Sequence, residues 1–241
     1  MLVAVTAKPS NHYYKKDGSY LGSDKRDGNQ VYVVNNYRIE KNGRITIISK
    51  ISLRYNNGRA ISVADFHNMV KATYYEMSHT KITTVNEAAA IYSCVRNRAF
   101  ERKQTELQEF KLKGSDGLFQ IRGWSKINNE DQLNEKKQKY TIAGIIKVII
   151  TNRDYSGGAY FWHGEDLGRK GSGTYTWYYK AGLYFTNNKH NLWNLPECKN
   201  PGKVGGIKWN YKFNTTMVQA HTTFMKLNLY WRLANDHKGN L

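Results

Sequence analysis

Residues 62–77 read "SVADFHNMVKATYYEM", and this stretch marks the point where strand-like patterning gives way to a helical period. Apolar side chains recur there at steps of three and four residues, at Phe66, Met69, Val70, Tyr74 and Met77. This spacing predicts one buried face of an α-helix. Ser62 is a candidate N-cap with Asp65 three positions later, and we expect the helix to stop at Ser78–His79.

Two further helices are predicted after the first one. The second begins near Thr84, a cap candidate with Glu87 at the capping-box position, and its inward residues should be Ala88, Ile91, Cys94, Val95 and Ala99. The third is expected from Asn128, with a polar start, "NNEDQLNEKKQK", and an apolar second half, "YTIAGIIKVIITN", that ends before Asp154. The apolar half predicts a central, well-buried helix.

Strand signals flank the helical region on both sides. In the N-terminal part, DG and NG turn signals separate alternating runs such as "VYVV" and "RITIIS", which predicts antiparallel strands at about 29–36 and 44–51. After Asp154 the chain is rich in aromatic and β-branched runs such as "TYTWYYKAGLYFT". The sequence therefore predicts an α+β fold, with an N-terminal β-hairpin element at 1–55 and a compact helical domain at 56–241.

The charge of the chain restricts the classes of partner. Among 241 residues there are 37 Lys and Arg against 19 Asp and Glu, which leaves a formal charge of +18. This charge favours a polyanion, and nucleic acid, an anionic lipid surface and an anionic cell wall all qualify. The two cysteines, Cys94 and Cys198, lie outside any CxxC spacing, so a cysteine metal site is not expected. A disulfide between them and two free thiols are both open.

The N-terminal residues, "MLVAVTAKPS", carry a short apolar stretch with no basic region before it. Because this is not the pattern of a secretory signal, we expect synthesis in the cytoplasm without a classical signal peptide. No run of about 18 apolar residues is present, so no membrane insertion is expected.

Glu76 is the candidate catalytic residue. On a helical wheel it falls beside Met69, at the margin of the apolar stripe, where partial loss of solvent raises the pKa of a carboxyl group. Its place in the last helical turn, at the negative end of the helix dipole, raises that pKa further. A carboxylic acid that keeps its proton near neutral pH suits general-acid cleavage of a glycosidic bond. The alternative is an ordinary boundary residue, solvated or paired with Lys71 or Lys81.

Three segments resemble the cell-wall hydrolases typified by the spore-cortex-lytic enzymes (SleB/CwlJ type): "VKATYYEMSHT", "NEAAAIYSCVRNRAF" and "NRDYSGGAYFWHGED". In that family a helix ends in a catalytic Glu, a helix of A-I-x-x-V-x-N-R character follows, and a D-x-x-G-G-A segment comes later. The matching residues here are Glu76, Ala90, Ile91, Val95, Asn97, Arg98, Asp154, Gly157, Gly158, Ala159, Tyr160 and Phe161. The resemblance covers roughly residues 66–165, and it implies a lysozyme-like helical catalytic core with flanking β-hairpins.

The same resemblance implies cleavage of the MurNAc-β-1,4-GlcNAc bond of peptidoglycan without a cofactor. A lytic transglycosylase needs one acid, here Glu76, for both steps of the reaction. A hydrolytic muramidase is the alternative, and it would add a second carboxylate across the bond. The candidates for that group are Asp154, Glu165 and Asp166, although Asp154 is as well explained as the cap of the turn that follows it.

The N-terminal segment "DGSYLGSDKRDGNQVYVV" is similar to a β-hairpin module found before toxin domains of type VI secretion effectors. This resemblance implies an antibacterial toxin that acts in the periplasm of a target bacterium. Its implied partners are peptidoglycan glycan strands, a cognate immunity protein and a carrier of the secretion apparatus.

Six residues are predicted to contact the glycan. Sugar-binding grooves combine aromatic faces with hydroxyl and amide groups, and the candidates are Ser78, Gln120, Trp124, Asp154, Tyr160 and Trp162. In an extended "AYFWH" segment, Tyr160 and Trp162 share one face and Phe161 takes the other. Gln120 and Trp124 are placed opposite Glu76 by family analogy. Core packing is the alternative for Tyr160 and Trp162, and helix capping is the alternative for Ser78.

Two other classes of function compete with the glycosidase. A nucleic-acid-binding protein or nuclease would use the positive charge, but the basic residues are scattered and no RNP, helix-turn-helix or zinc-finger signature is present. A non-catalytic glycan-binding module of a secretion apparatus is the other. No HExxH spacing occurs among the seven histidines, so a metal site is not expected.

Overall fold

The first four strands form a mixed sheet. The computed structural model describes residues 10–24, 28–78, 81–114, 117–118, 120–129, 133–163, 183–185, 203–204, 207–208, 213–220 and 222–226. The strands are β1 (His12–Tyr14), β2 (Tyr20–Ser23), β3 (Val31–Ile39) and β4 (Ile45–Ser52), in the spatial order β2-β1-β3-β4. β3 and β4 form the predicted antiparallel hairpin, which is thereby confirmed, while β1 was not predicted and runs parallel to β3.

Within the ranges given above, four α-helices and one 3-10 helix follow the sheet. They are α1 (Val63–Glu76), α2 (Val85–Glu101), α3 (Glu106–Phe110), the 3-10 helix Arg122–Lys126, and α4 (Glu135–Thr151). The second sheet has the order β5-β10-β9-β6, from β5 (Phe161–His163), β6 (Leu183–Phe185), β9 (Phe213–Gln219) and β10 (Thr222–Lys226). β7 (Lys203–Val204) and β8 (Ile207–Lys208) form a separate antiparallel pair. Helices together with mixed sheets confirm the predicted α+β class.

The N-terminal sheet and the helices share one hydrophobic core. Val31, Val33 and Leu53 are fully buried in the same cluster as Phe66 and Met69 of α1. Burial of such side chains stabilises a fold by about 1.5–3 kcal/mol for each one. The boundary at residue 55 stays a prediction, and apolar contacts cross it.

The helix starts follow the predicted caps in two cases and depart from them in the third. Ser62 Oγ accepts a hydrogen bond from the Asp65 N–H, and Thr84 Oγ1 accepts one from the Glu87 N–H. The third helix begins at Glu135 and not at Asn128, because Asn134 supplies the cap by accepting from the Lys137 N–H. Asn128 and Asn129, where the helix was expected to begin, therefore lie outside it.

α2 and α4 pack closely at a contact of small residues. An added Cβ on Gly144 would lie 2.5 Å from the Ala88 Cβ and 2.7 Å from the Ala89 nitrogen. The inward residues predicted for α2, including Ala88, are all buried. Glycine facing an alanine run thus lets the two longest helices of the described chain approach each other directly.

A buried ion cluster joins α2 to α3. Glu109 lies 2.6 Å from Arg98 and 2.5 Å from Arg102, and its side chain is fully buried. Gln104 donates a further hydrogen bond of 2.7 Å to the same carboxylate. A buried charge is tolerated only when its partners compensate the lost hydration, so these groups depend on one another.

We predict that Glu109→Gln destabilises the protein by about 3–5 kcal/mol, because the buried Arg98 and the partly buried Arg102 would lose their counter-charge. The matched control is Glu40→Gln, which breaks the exposed pair with Arg38 at 2.8 Å and should cost less than about 1 kcal/mol. Urea unfolding of the two variants measures both values. Equal losses would contradict the assigned role of the cluster.

Candidate active site

The Glu76 carboxyl group is held by two N–H donors from different parts of the chain. Glu76 is the last residue of α1, as its predicted place in the final turn requires. Its Oε1 accepts from the Gly123 N–H at 2.5 Å, and its Oε2 accepts from the indole N–H of Trp162 at 3.0 Å. The side chain therefore links α1 to the 3-10 helix and to β5.

Gly123 permits this arrangement because it has no side chain. A Cβ at that position would overlap the backbone oxygen of Ala72, one turn before Glu76 in α1, and would lie 3.1 Å from the Glu76 Cγ. Any larger residue would push the 3-10 helix away from α1. Close approach of the two backbones is thus the condition for the Gly123–Glu76 hydrogen bond.

Burial raises the pKa of Glu76 above its usual value of 4.5. The hydrogen bonds from Gly123 and Trp162 oppose the rise, as do the positive charges of Arg122 and Lys126. Desolvation is the larger effect, which is the cause expected from the helical wheel. Glu76 as a whole residue is half-buried, while its carboxyl group is almost completely desolvated. Lys71, a suggested partner, instead donates to the Ile127 carbonyl at 3.0 Å.

The segment directly after Glu76 is held by buried polar groups. Glu87, fully buried in α2, accepts from the Ser78 N–H at 2.8 Å and from the Thr222 hydroxyl of β10 at 2.6 Å. Lys137 of α4 donates to the Met77 carbonyl at 3.1 Å. Burial lowers the pKa of Lys137, and the Glu87 charge opposes that shift. α2, α4 and β10 thus hold the two residues that follow Glu76 in place.

Of the six predicted glycan contacts, the structure brings Trp162 to Glu76. Trp162 is partly exposed and lies at the edge of the core. Ser78 is two residues from Glu76, and its hydroxyl lies 3.3 Å from the hydroxyl of Thr222. The sugar-binding roles of both residues stay predictions, and Trp162 bonds the candidate acid directly.

Trp124 is buried in the protein interior, and Gln120 is partly exposed and bonded to an interior residue. The Gln120 side-chain oxygen accepts from Arg98 at 2.9 Å, next to the buried ion cluster. Trp124 is 6% exposed and packs against Phe110, with ring centroids 5.9 Å apart. Their predicted place opposite Glu76 in a cleft therefore has no support from their packing, and both positions fit a structural role.

Asp154 caps the turn that leads into β5. Its carboxylate accepts from the Ser156 N–H at 2.7 Å and from the Gly158 N–H at 2.5 Å. Asn97 of α2 donates to the Ala159 carbonyl at 3.0 Å and so fixes the same turn. The capping alternative for Asp154 accounts for all of these contacts.

Tyr160 lines a separate open cavity of about 440 Å³, together with Asp154 and the exposed Phe100. Glu76 and Trp162 are not among the lining residues of this cavity. Tyr160 and Trp162 therefore do not line this cavity together, and their place in one sugar-binding groove stays a prediction.

Several predicted residues lie outside the described part of the chain. They are His79 and the two candidate second carboxylates, Glu165 and Asp166, as well as Cys198. Cys94 is a buried free thiol whose pKa is raised by burial. Within the described ranges no cluster of three or more His, Cys, Asp or Glu side chains could hold a metal ion. None of the helices described there is long and apolar enough to cross a membrane.

Comparison of the chain with protein-family models, with curated proteins and with solved structures finds no match.

Three residues of the site were not anticipated from the sequence: Gly123, Glu87 and Lys137. Gly123 stands in "QIRGWSK", where a glycine before a tryptophan is a weak local signal. The capping-box pattern predicts that the Glu87 side chain bonds the Thr84 N–H. In the structure this side chain instead accepts from Ser78 and Thr222. Lys137 is one of four lysines in the run from 136 to 147, and only its burial distinguishes it.

We predict that Trp162→Phe raises the pKa of Glu76 further, because it removes an N–H donor that stabilises the ionised carboxylate and keeps an aromatic ring in place. Tyr160→Phe, two residues earlier, should leave that pKa unchanged. Titration of the Glu76 carboxyl carbon by NMR measures both. A fall in the pKa of the Trp162 variant would show that the indole hydrogen bond is absent.

Proposed function

We propose that this protein is a peptidoglycan-cleaving glycosidase with a lysozyme-like catalytic core, and that it acts as a lytic transglycosylase through Glu76. The observation that carries the proposal is the state of that carboxyl group. Burial raises its pKa, two N–H donors fix its orientation, and the residue that carries it is half-buried and not fully enclosed. A carboxyl group with these three properties is suited to general-acid catalysis.

In the first step the protonated Glu76 donates its proton to the glycosidic oxygen between MurNAc and GlcNAc. The bond from C1 of MurNAc to that oxygen breaks, the GlcNAc hydroxyl leaves, and positive charge develops on the MurNAc ring. Glu76 becomes a carboxylate. The N–H groups of Gly123 and Trp162 stabilise this carboxylate because they are already directed at its two oxygens.

In the second step the Glu76 carboxylate removes the proton from the C6 hydroxyl of the same MurNAc. The C6 oxygen attacks C1 and closes a 1,6-anhydro ring, and Glu76 is again protonated. One residue serves both steps if its pKa is high enough to hold a proton and its conjugate base is stabilised. Desolvation supports the first requirement, and the two donors with Arg122 and Lys126 support the second.

The charge of the protein is consistent with an anionic polymer as substrate. The chain carries +18, and Arg122 and Lys126 are exposed on the 3-10 helix next to Glu76. Peptidoglycan strands carry carboxylates on their peptides, which these two side chains would attract. The resemblance to type VI effectors adds the setting: a toxin acting in the periplasm of a target bacterium, with an immunity protein and a secretion-apparatus carrier as partners.

We predict that Glu76→Gln reduces the release of soluble fragments from purified peptidoglycan by at least about 100-fold, because glutamine cannot donate the catalytic proton. The control is Glu135→Gln, an exposed residue at the start of α4, which should retain wild-type release. Turbidity loss and soluble sugar measure the effect. Equal activity of the two variants would exclude Glu76 as the acid.

We also predict that the rate falls as the pH rises through the raised pKa of Glu76, because only the protonated form starts the reaction. The alkaline limb of the profile should lie above pH 4.5, the usual value for this group. In Trp162→Phe that limb should move to higher pH. Initial rates across a pH series measure the shift, and an unmoved limb would assign the limb to another group.

A further inference from the structure

The β4 strand lies at an open edge of the N-terminal sheet. It pairs with β3 on one side, and no strand of the described chain pairs with it on the other. An edge strand presents unpaired backbone N–H and C=O groups, and proteins usually protect such an edge with short length, proline or charged side chains. β4 is eight residues long, "ITIISKIS", and contains no proline.

The apolar side chains of this strand are also exposed. Ile45, Ile48 and Ile51 are 37%, 58% and 44% exposed, and Ile48 lies where the register of β4 against β3 shifts. The single lysine of the strand, Lys50, does not guard the edge. Its Nζ lies 4.0 Å from the centre of the Tyr32 ring and 3.2 Å from the Tyr13 hydroxyl, so it folds over the neighbouring strands.

Exposed basic residues stand at both ends of β4. Lys41 and Arg44 precede the strand, and Arg54 and Arg59 follow it. From residue 38 to residue 59 there are six Lys and Arg and one acidic residue, Glu40, which leaves 6 − 1 = +5. A complementary surface would therefore have an apolar centre and negative charge at both ends.

We propose that β4 docks an acidic polypeptide segment, which adds to the sheet as a fifth strand. The segment is extended and about eight residues long, spanning about 27 Å at ~3.4 Å per residue. Its central side chains cover Ile48 and Ile51, and its terminal carboxylates lie near Lys41, Arg44, Arg54 and Arg59. This docking is independent of Glu76 and of the proposed glycosidase activity.

A polypeptide fits this edge better than the other occupants. An anionic membrane would match the charge and the isoleucines, but it would leave the backbone N–H and C=O groups of the edge without partners. A second copy of this chain would satisfy those groups, but it would bring two strongly basic strands together. An acidic polypeptide satisfies the hydrogen bonds, the apolar contacts and the charge.

The test is a binding titration of the full chain with the labelled acidic peptide acetyl-EEVTVTVEE-amide, followed by fluorescence anisotropy. One control peptide carries Gln in place of every Glu. A second carries N-methyl groups on its valines and its threonines, which removes the central N–H donors of both edges of the extended peptide and keeps the charge. Wild-type protein should bind the acidic peptide at least about tenfold more tightly than either control peptide.

The protein variants locate the site. Ile48→Asp combined with Ile51→Asp should weaken binding of the acidic peptide at least about tenfold. Phe100→Asp, the same kind of change at a residue of α2 that is 75% exposed, should leave binding within about twofold. Urea unfolding shows whether the variants fold, and the two control peptides test the proposal on wild-type protein alone.

Three results would overturn the proposal. The first is absence of saturable binding, and the second is equal binding of the acidic and the N-methylated peptides, which would indicate charge attraction alone. The third is a better occupant. Binding to phosphatidylglycerol vesicles that the Ile48 and Ile51 changes abolish would assign the edge to a membrane. A wild-type dimer in sedimentation that those changes dissociate would assign the edge to a second copy.

Discussion

The contact between the 3-10 helix and α1 at Gly123 is the constraint on which the site depends. Because Gly123 has no Cβ, its backbone lies against Ala72 and its N–H reaches the Glu76 carboxyl group one turn later. This contact removes solvent from Glu76 and at the same time provides a donor to its oxygen. The two effects have opposite signs on the pKa, and burial is the stronger. The site therefore holds a carboxyl group that keeps its proton more readily than an exposed one. N–H donors that stabilise its carboxylate form are already in place.

The surroundings of Glu76 are assembled from parts of the chain that are far apart in sequence. Trp162 of β5 donates to its second oxygen, while Glu87 of α2 and Lys137 of α4 hold the two residues that follow it. Glu87 also bonds Thr222, which attaches the second sheet to the same place. Preorganised groups of this kind contribute to catalysis because they need no rearrangement during the reaction. The close packing of α2 against α4 at Gly144 positions two of these supporting residues.

The sequence predicted the α+β class, the span of α1, the inward face of α2 and the raised pKa of Glu76, because all of these follow from periodicity and position along one element. It did not predict the parallel pairing of β1 with β3 or the start of α4, which depend on long-range pairing and on the choice among several capping residues. The hydrogen-bond donors to Glu76 could not be predicted from the sequence either. Gly123 lies 47 residues away and Trp162 lies 86 residues away, so local patterns contain no information on either contact.

The central claim is that Glu76 acts alone as acid and then as base on a glycan strand. Mass spectrometry of the fragments released from purified peptidoglycan tests it most directly, because the chemical form of the new MurNAc end records the second step. We expect 1,6-anhydro-MurNAc ends, which form when the carboxylate activates the C6 hydroxyl. Reducing MurNAc ends would show that water is the nucleophile and that a second carboxylate takes part. Intact glycan strands would contradict the glycosidase itself.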